Sequence, residues 1–285
     1  DATVLLTGET GTGKEIFAQA IHNASQRTNQ PYIALNTSAF SREILESELF
    51  GHKAGAFTGA LRDKKGLLEE AHHGTLFLDE IGEMSSDLQA KLLRVLESGE
   101  FIKVGETKPQ KVDVRIIAAT NRHLQEESEK GNFRLDLYYR LSAFQIQLPS
   151  LNERRRDIPA LAQYFLTFFN NKLNKKVNKM DAAFIEKLQH HNWRGNVREL
   201  RNVLERACIL ADNETLTLEH LPLDIQFETW NPHQSAPSFA ISEMEKQHIR
   251  KVLAYTEGNK TKAAELLGIG LTTLYAKIKE YGISG

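Results

Sequence analysis

The run Gly8-Glu9-Thr10-Gly11-Thr12-Gly13-Lys14-Glu15 has the composition of a phosphate-binding loop. Glycines at 8, 11 and 13 let backbone N–H groups close around phosphate oxygens, and Lys14 brings a point charge to the β and γ phosphates of a nucleotide. An apolar strand-like run, Val4 to Thr7, precedes the loop, and a helical pattern from Ile16 to Ile21 follows it. A helix N-terminus therefore adds its dipole at the same point. The residue after the lysine is Glu15 rather than the usual Ser or Thr whose hydroxyl ligates Mg²⁺, so the metal must lean on other groups and water.

Hydrolysis needs a second set of groups at the carboxyl edge of the same sheet. Thr75-Leu-Phe-Leu-Asp79-Glu80 ends a buried run in two adjacent carboxylates. Asp79 is suited to hold Mg²⁺, directly or through water, and Glu80 to polarise an attacking water. Another buried run, Val114 to Ala118, continues into Thr120 and Asn121, where a γ-phosphate sensor would sit; by itself Asn121 reads equally as a turn residue.

These groups require an α/β scaffold with a mainly parallel sheet. Short apolar runs at Val4 to Leu6, Tyr32 to Leu35, Thr75 to Leu78 and Val114 to Ala118 alternate with helical stretches such as Leu88 to Leu96, over residues 1–150. Strands then give way to helical spacing at Ile158 to Phe169, Ala183 to Leu188 and Val197 to Leu210, a helical lid expected over 151–225 without strands. A stretch with Asn231, Pro232, Ser235 and Pro237 suits a linker over 226–240, and helical periodicity returns over 241–285.

Composition bounds the rest. The 285 residues are enough for about two domains, and no apolar run approaches the ~20 residues of a membrane span. With 36 basic against 37 acidic residues the net charge is −1, so contact with nucleic acid must come from a local patch. The single Cys208 excludes an internal disulfide and a cysteine-based zinc site, and a reducing, cytoplasmic setting is expected. Because the chain opens at Asp1 directly into a strand-like run, a preceding sensory segment is expected to be missing.

The final stretch reads as three helices, Ser242 to Tyr255, Lys260 to Leu267 and Leu271 to Tyr281, the last two joined by a turn at Gly268-Ile-Gly270. Two short helices across a glycine turn are a helix-turn-helix signature, with a plain dimerisation module as the alternative. Seven basic residues meet five acidic ones from Ile241 onward. Lys260, Lys262, Lys277 and Lys279 are expected to face phosphates, with Thr272, Thr273 and Tyr275 near base edges of double-stranded DNA.

Taken with ELFGHKAGAFTGA (Glu48 to Ala60), FRLDLYYRL (Phe133 to Leu141) and WRGNVREL (Trp193 to Leu200), these segments resemble the NtrC-type, sigma-54-dependent transcription activators of bacteria, which belong to the AAA+ ATPases. The phrase GNKTKAAELLGI resembles the Fis-type DNA-binding domain that ends such activators. Glu15 fits the same family, whereas Arg194, Ser150 and Asn152 depart from its usual proline, proline and arginine.

The resemblance implies specific roles. Gly8 to Glu15 become the Walker A loop, Asp79 and Glu80 the Walker B pair, Thr120 and Asn121 the first sensor and Arg198 the second. Asn36 matches the asparagine that holds the Walker B glutamate until the γ-phosphate is read. Arg134 and Arg140 match arginines that reach a neighbouring subunit's site, so that hydrolysis depends on assembly. Gly55-Ala56-Phe57-Thr58-Gly59-Ala60 becomes the sigma-54 contact, with Phe57 and Thr58 at its tip, and Gly105 to Gln110 a second loop that moves with it.

The expected function is thus an ATP- and Mg²⁺-dependent activator that binds enhancer DNA and remodels the sigma-54 RNA polymerase holoenzyme. It would work as a homo-oligomer, from a dimer to a hexameric or heptameric ring, with no membrane association. A DNA-binding regulator with nucleotide-dependent assembly but no remodelling is the rival, and an AAA+ unfoldase or helicase loader a second. Intact Glu80, Arg134, Arg140 and GAFTGA weigh against the first, and the terminal helix-turn-helix against the second.

Overall fold

A computed structural model describes residues 2–226, 241–256 and 258–283. Its first part is a five-stranded, wholly parallel sheet in the order β2-β3-β6-β1-β7. The elements run β1 (Val4–Thr7), α1 (Lys14–Asn23), β2 (Tyr32–Asn36), α2 (Arg42–Phe50), α3 (Leu67–Glu70), β3 (Thr75–Asp79), α4 (Ser86–Ser98), β4 (Glu100–Phe101), β5 (Gln110–Lys111), β6 (Arg115–Thr120), α5 (Leu124–Glu129), α6 (Leu135–Leu141) and β7 (Gln145–Gln147). The edge strand β7, an alternation too short and polar to stand out in the sequence, pairs with β1 at Leu5, Leu6 and Thr7.

Alternation along the strands explains the two cores. Leu5, Leu76, Leu78, Ile116 and Ala118 face one side, packing against Leu88 and Leu92 of α4 and Leu137 and Leu141 of α6. Val4, Leu6, Phe77, Ile117 and Ala119 face the other, against Ala18 of α1. A parallel sheet covered on both faces needs apolar residues at successive positions, which is why these runs show no polar alternation. Register then aligns the strand ends: Thr7 lies opposite Thr120, and Asn36 opposite Asp79.

The lid packs α7 (Ile158–Leu173), α8 (Ala182–His190) and α9 (Asn196–Leu210) around Trp193, Phe169, Phe184 and Leu204, with Cys208 fully buried among them. The expectation of a lid without strands is corrected by β8 (Lys179–Met180) and β9 (Thr215–Leu216), a two-residue parallel pair. So short a pair carries no periodicity that a sequence could reveal. The helix α10 (Leu223–Gln226) follows, so Gln226 is helical. The rest of the expected 226–240 linker lies outside the described residues.

The last segment forms α11 (Ile241–Tyr255), α12 (Lys260–Leu266) and α13 (Leu271–Glu280). Asn259 caps α12 by accepting from Lys262 N, and Ile249, Leu253, Ala263, Ala264, Leu274 and Ile283 make the core. Among the described residues no helix is long and apolar enough to cross a membrane.

Candidate functional site

The loop from Gly8 to Gly13 leaves β1 and enters α1, with Gly13 at the helix N-cap in a left-handed conformation. Within the loop, the Thr12 hydroxyl donates to Glu9 O at 2.8 Å, and Lys14 Nζ to Gly8 O at 2.9 Å and Glu9 O at 3.2 Å. Burial pulls the Lys14 ammonium below its ordinary range; Glu80 and Asp79 oppose that shift, and Arg198 reinforces it. Two cations from different subdomains thus face a common space, an arrangement that a polyphosphate between them would relieve.

Asp79 ends β3 and Glu80 follows it, beside this loop. Asp79 Oδ1 accepts from Glu80 N at 3.0 Å, which leaves its second oxygen for a metal or a metal-bound water. Glu80 takes a left-handed backbone, φ 54°, before the short turn Ile81–Glu83. A non-glycine residue held there is a strained position of the kind that concentrates at active sites. Asn121 follows β6, and its Nδ2 donates to the Thr10 hydroxyl at 3.0 Å. Arg122, next in the chain, pairs with Glu83, which binds the sensor strand to the segment after Glu80. The donor set, the paired cations and the carboxylate with a spare oxygen fit a nucleotide with Mg²⁺.

Two expected site residues make other contacts here. Asn36 lies beside Asp79 in register, yet its Oδ1 accepts from Ser38 N at 2.9 Å and Ser38 Oγ at 2.7 Å, not from any group of Glu80. The neighbour Thr37 holds the backbone of the carboxylate pair, its hydroxyl donating to Glu80 O at 2.7 Å and to Asp79 O at 3.1 Å. The cap uses only the Asn36 Oδ1, so the amide nitrogen, the donor that a carboxylate needs, takes no part in it. Thr120 is fully buried, its Oγ1 accepting from Arg122 N, so it shapes the turn that presents Asn121.

Arg134 and Arg140 are brought to the exposed surface rather than to this chain's own loop. Arg134 forms an ion pair with Asp136 at 2.7 Å, and Arg140 donates to Leu96 O at 3.0 and 3.2 Å. Behind Arg134, the fully buried Gln89 donates to Met84 O at 2.7 Å and Asn132 O at 3.1 Å, and accepts from Arg134 N at 2.8 Å.

The lid closes over the loop through residues that spacing alone did not single out. Arg154 Nη2 donates to Thr12 O at 3.0 Å, and Arg198 N to Gly11 O at 3.3 Å. A Cβ on Gly11, at φ 82°, would collide with the Gly195 carbonyl oxygen, so that glycine serves lid contact as well as backbone shape. Clustered arginines in Glu153-Arg-Arg-Arg156 were the available signal. Of the positions that depart from the family pattern, Asn152 accepts from Trp193 N at 3.0 Å, and Ser150 donates to Glu153 from both its N–H and its hydroxyl.

Gly55 to Ala60 form a closed loop, Gly55 N donating to Ala60 O at 2.8 Å. Phe57 is 45% exposed and set edge-on to His52 at 5.0 Å, with Thr58 exposed beside it. Ala60 is buried, which removes it from the expected contact surface and makes it the anchor of the loop. The second loop abuts the first: a Cβ on Gly105 would lie 2.6 Å from that of Ala56.

In the terminal module Lys262, Lys279, Thr272, Thr273 and Tyr275 are exposed, and Lys260 lies over the Tyr275 ring at 5.6 Å. Lys277 does not belong with the free cations. Its Nζ is 2.6 Å from Glu245 of α11, whose other oxygen accepts from the Tyr281 hydroxyl. The hydrogen bond to Glu245 raises the Lys277 pKa and lowers that of Glu245. A charge held against its own bundle has less to offer a phosphate.

Comparison with known proteins agrees with this geometry. Residues 1–147 match the model of the sigma-54 interaction domain, 152–238 that of an AAA+ ATPase lid domain, and 240–281 that of the bacterial regulatory protein, Fis family. The chain is 46% identical to the transcriptional regulatory protein ZraR of Salmonella typhimurium over 98% of its length, and 46% identical to the regulatory protein AtoC of Escherichia coli over 99%. It spans 63% of each relative. The crystal structure of NtrX from Brucella abortus in complex with ADP superposes with a TM-score of 0.75 at 36% identity, covering 99% of this chain and 65% of NtrX. A closed-state Hsp104 structure, 17% identical with a TM-score of 0.54 over 73% of this chain and 40% of its own, shares the fold alone. The chain belongs to the sigma-54 interaction family of AAA+ ATPases, the NtrC-type transcription activators, and carries a helical lid and a Fis-type helix-turn-helix domain.

Proposed function

We propose that this chain is the ATPase and DNA-binding portion of a bacterial enhancer-binding activator, which hydrolyses ATP in a homo-oligomeric ring to remodel sigma-54 RNA polymerase holoenzyme at a promoter. The relatives are longer than this chain.

In this reading the Gly8–Glu15 loop and Lys14 bind the phosphates, Asp79 holds Mg²⁺, and Glu80 takes a proton from the attacking water. Mg²⁺, when bound, neutralises phosphate charge and orients the phosphoryl group. Asn121 reads the terminal phosphate while tied to Thr10. Arg134 and Arg140, exposed on this chain, enter the site of the next subunit, where planar guanidinium donors meet the charge on the transferring phosphoryl. Hydrolysis is then a property of the ring.

The observation that carries the remodelling step is the continuity of residues 37–60. Thr37 holds the Glu80 carbonyl; α2 leads from that turn to Gly51; and Gly51 O accepts from Val104 N at the base of both loops. A shift of Glu80 between partners is thereby passed through one rigid helix to the Phe57–Thr58 tip. The helix-turn-helix docks α13 in the major groove, with Lys260, Lys262 and Lys279 on phosphates, and a dimer engages a palindromic site.

The test is capture of isolated sigma-54 on a native gel, with ADP plus a metal-fluoride phosphate mimic against ADP alone. A complex formed only with the mimic, and lost in Thr58→Ala, supports the reading. Nucleotide-independent capture, or none while turnover rises with protein concentration, removes sigma-54 remodelling and leaves a ring ATPase with another target.

A further inference from the structure

The residue at the start of α9 has no role in the function described so far. Asn196 is fully buried and has a left-handed backbone, φ 53°, where the tight turn after Trp193 runs into the helix. Both ends of its amide are used. Oδ1 accepts from Leu151 N at 2.7 Å, at the point where the chain leaves the sheet for the lid. Nδ2 donates to Glu9 Oε2 at 2.9 Å and to Thr10 O at 3.1 Å, inside the phosphate loop.

One side chain therefore joins three segments far apart in sequence: the loop, the lid entry and the helix that carries Arg198. An asparagine amide presents a donor and an acceptor in one plane, and here both donor hydrogens and one acceptor site are satisfied within the fold. The left-handed backbone is tolerated by asparagine better than by other side chains, and it aims the amide away from α9 and onto the loop. Glu9 is exposed and has no other hydrogen-bonded or ionic partner among the described residues for its carboxylate, so that contact exists for Asn196 alone. Two residues further along α9, Arg198 approaches Lys14 closely enough to be felt by its ammonium.

We propose that Asn196 is a positioning residue: it latches the lid onto Glu9 and Thr10 so that Arg198 is held over the phosphate loop, and it thereby sets the affinity for nucleotide. The inference rests on the Gly8–Glu15 loop being the nucleotide site. Asp at this position would keep the acceptor for Leu151 N, lose the donor to Thr10 O and set a carboxylate against that of Glu9. Gln at position 9 would supply a donor to that new carboxylate.

The experiment titrates a fluorescent ADP analogue into the wild-type chain, Asn196→Asp, Glu9→Ala and the Asn196→Asp/Glu9→Gln double variant, with the thermal midpoint of each recorded without nucleotide. Asn196→Asp is expected to raise the Kd about tenfold and Glu9→Ala about threefold, each having lost a charge-assisted bond. The double variant should recover at least about half of the loss on a logarithmic scale, a coupling that independent sites do not show. A lowered melting temperature with an unchanged Kd in Asn196→Asp would make the residue a structural cap and overturn the proposal, as would strictly additive effects in the double variant. Should Asn196→Asp fail to melt cooperatively, the exposed Glu9→Ala decides, and an unaltered Kd there overturns the latch. Lys14→Ala, tested alongside, separates the two claims: if it too binds ADP normally, the nucleotide site itself has been misplaced.

Discussion

Gln89 accepts a 2.8 Å hydrogen bond from the backbone N–H of Arg134 and, with its amide nitrogen, holds Met84 O. The turn after Glu80 and the base of an exposed arginine are thus joined through one buried side chain on α4. In the proposed ring, nucleotide chemistry in one subunit and the arginine offered to the next would share a mechanical support. Gln89→Leu leaves Arg134 N, Met84 O and Asn132 O without that partner, and should lower stability by about 3 kcal/mol in urea denaturation. A loss below about 1 kcal/mol would mean that water or a relaxed backbone replaces the amide.

Asn121 is tied to the loop by the Thr10 hydroxyl, so its amide is pre-aimed before any phosphate arrives. Asn121→Ala should reduce kcat for ATP roughly 10²-fold, the loss typical of one preorganised donor, while the Kd for nucleotide stays within about threefold. Equal losses in affinity and turnover would instead make Asn121 a binding residue.

The DNA contacts divide by charge pairing. Lys279→Ala should flatten the dependence of log Kd on log salt by about 0.9 at a fixed DNA sequence, as expected for one lost phosphate contact. Lys277→Ala, whose ammonium is committed to Glu245, should change the slope by less than about half as much. Equal slope changes would return Lys277 to the phosphate-facing set.

His22 supplies the pH dependence that is easiest to isolate. It is buried, with Nδ1 2.9 Å from the Thr75 hydroxyl, and burial first and Arg115 second depress its pKa below 6.5. The unfolded chain therefore binds more protons than the native one once pH falls below about 6.5, and native stability must decline there as pH drops. At neutral pH and above, where both states are unprotonated, this contribution is flat. His22→Gln should show a smaller fall in thermal midpoint between pH 7.5 and 5.5 than the wild type; parallel curves would assign the acid sensitivity elsewhere.

Much of the site was legible because its chemistry is local. A phosphate loop consists of consecutive residues, and Gly8 to Lys14 carry it without reference to the rest of the chain. The same holds for Asp79-Glu80 at the end of an apolar run and for the glycine turn between α12 and α13. The partner of Glu80 was less legible. Asn36 and Thr37 are adjacent and both polar, and that Thr37 holds the Glu80 backbone carbonyl while Asn36 caps the turn depends on which points across the strand end.

Sequence alone determined the parallel α/β core, the loop, its carboxylates and the family, since each rests on contiguous residues or on periodicity imposed by burial. Tertiary structure decided which polar groups meet. That Asn196 reaches Glu9, that Gln89 supports Arg134, and that Lys277 is neutralised by Glu245 all depend on segments many residues apart. Hydrogen bonds and ion pairs act over about 3 Å, so they are fixed only after apolar packing has set the distances between elements.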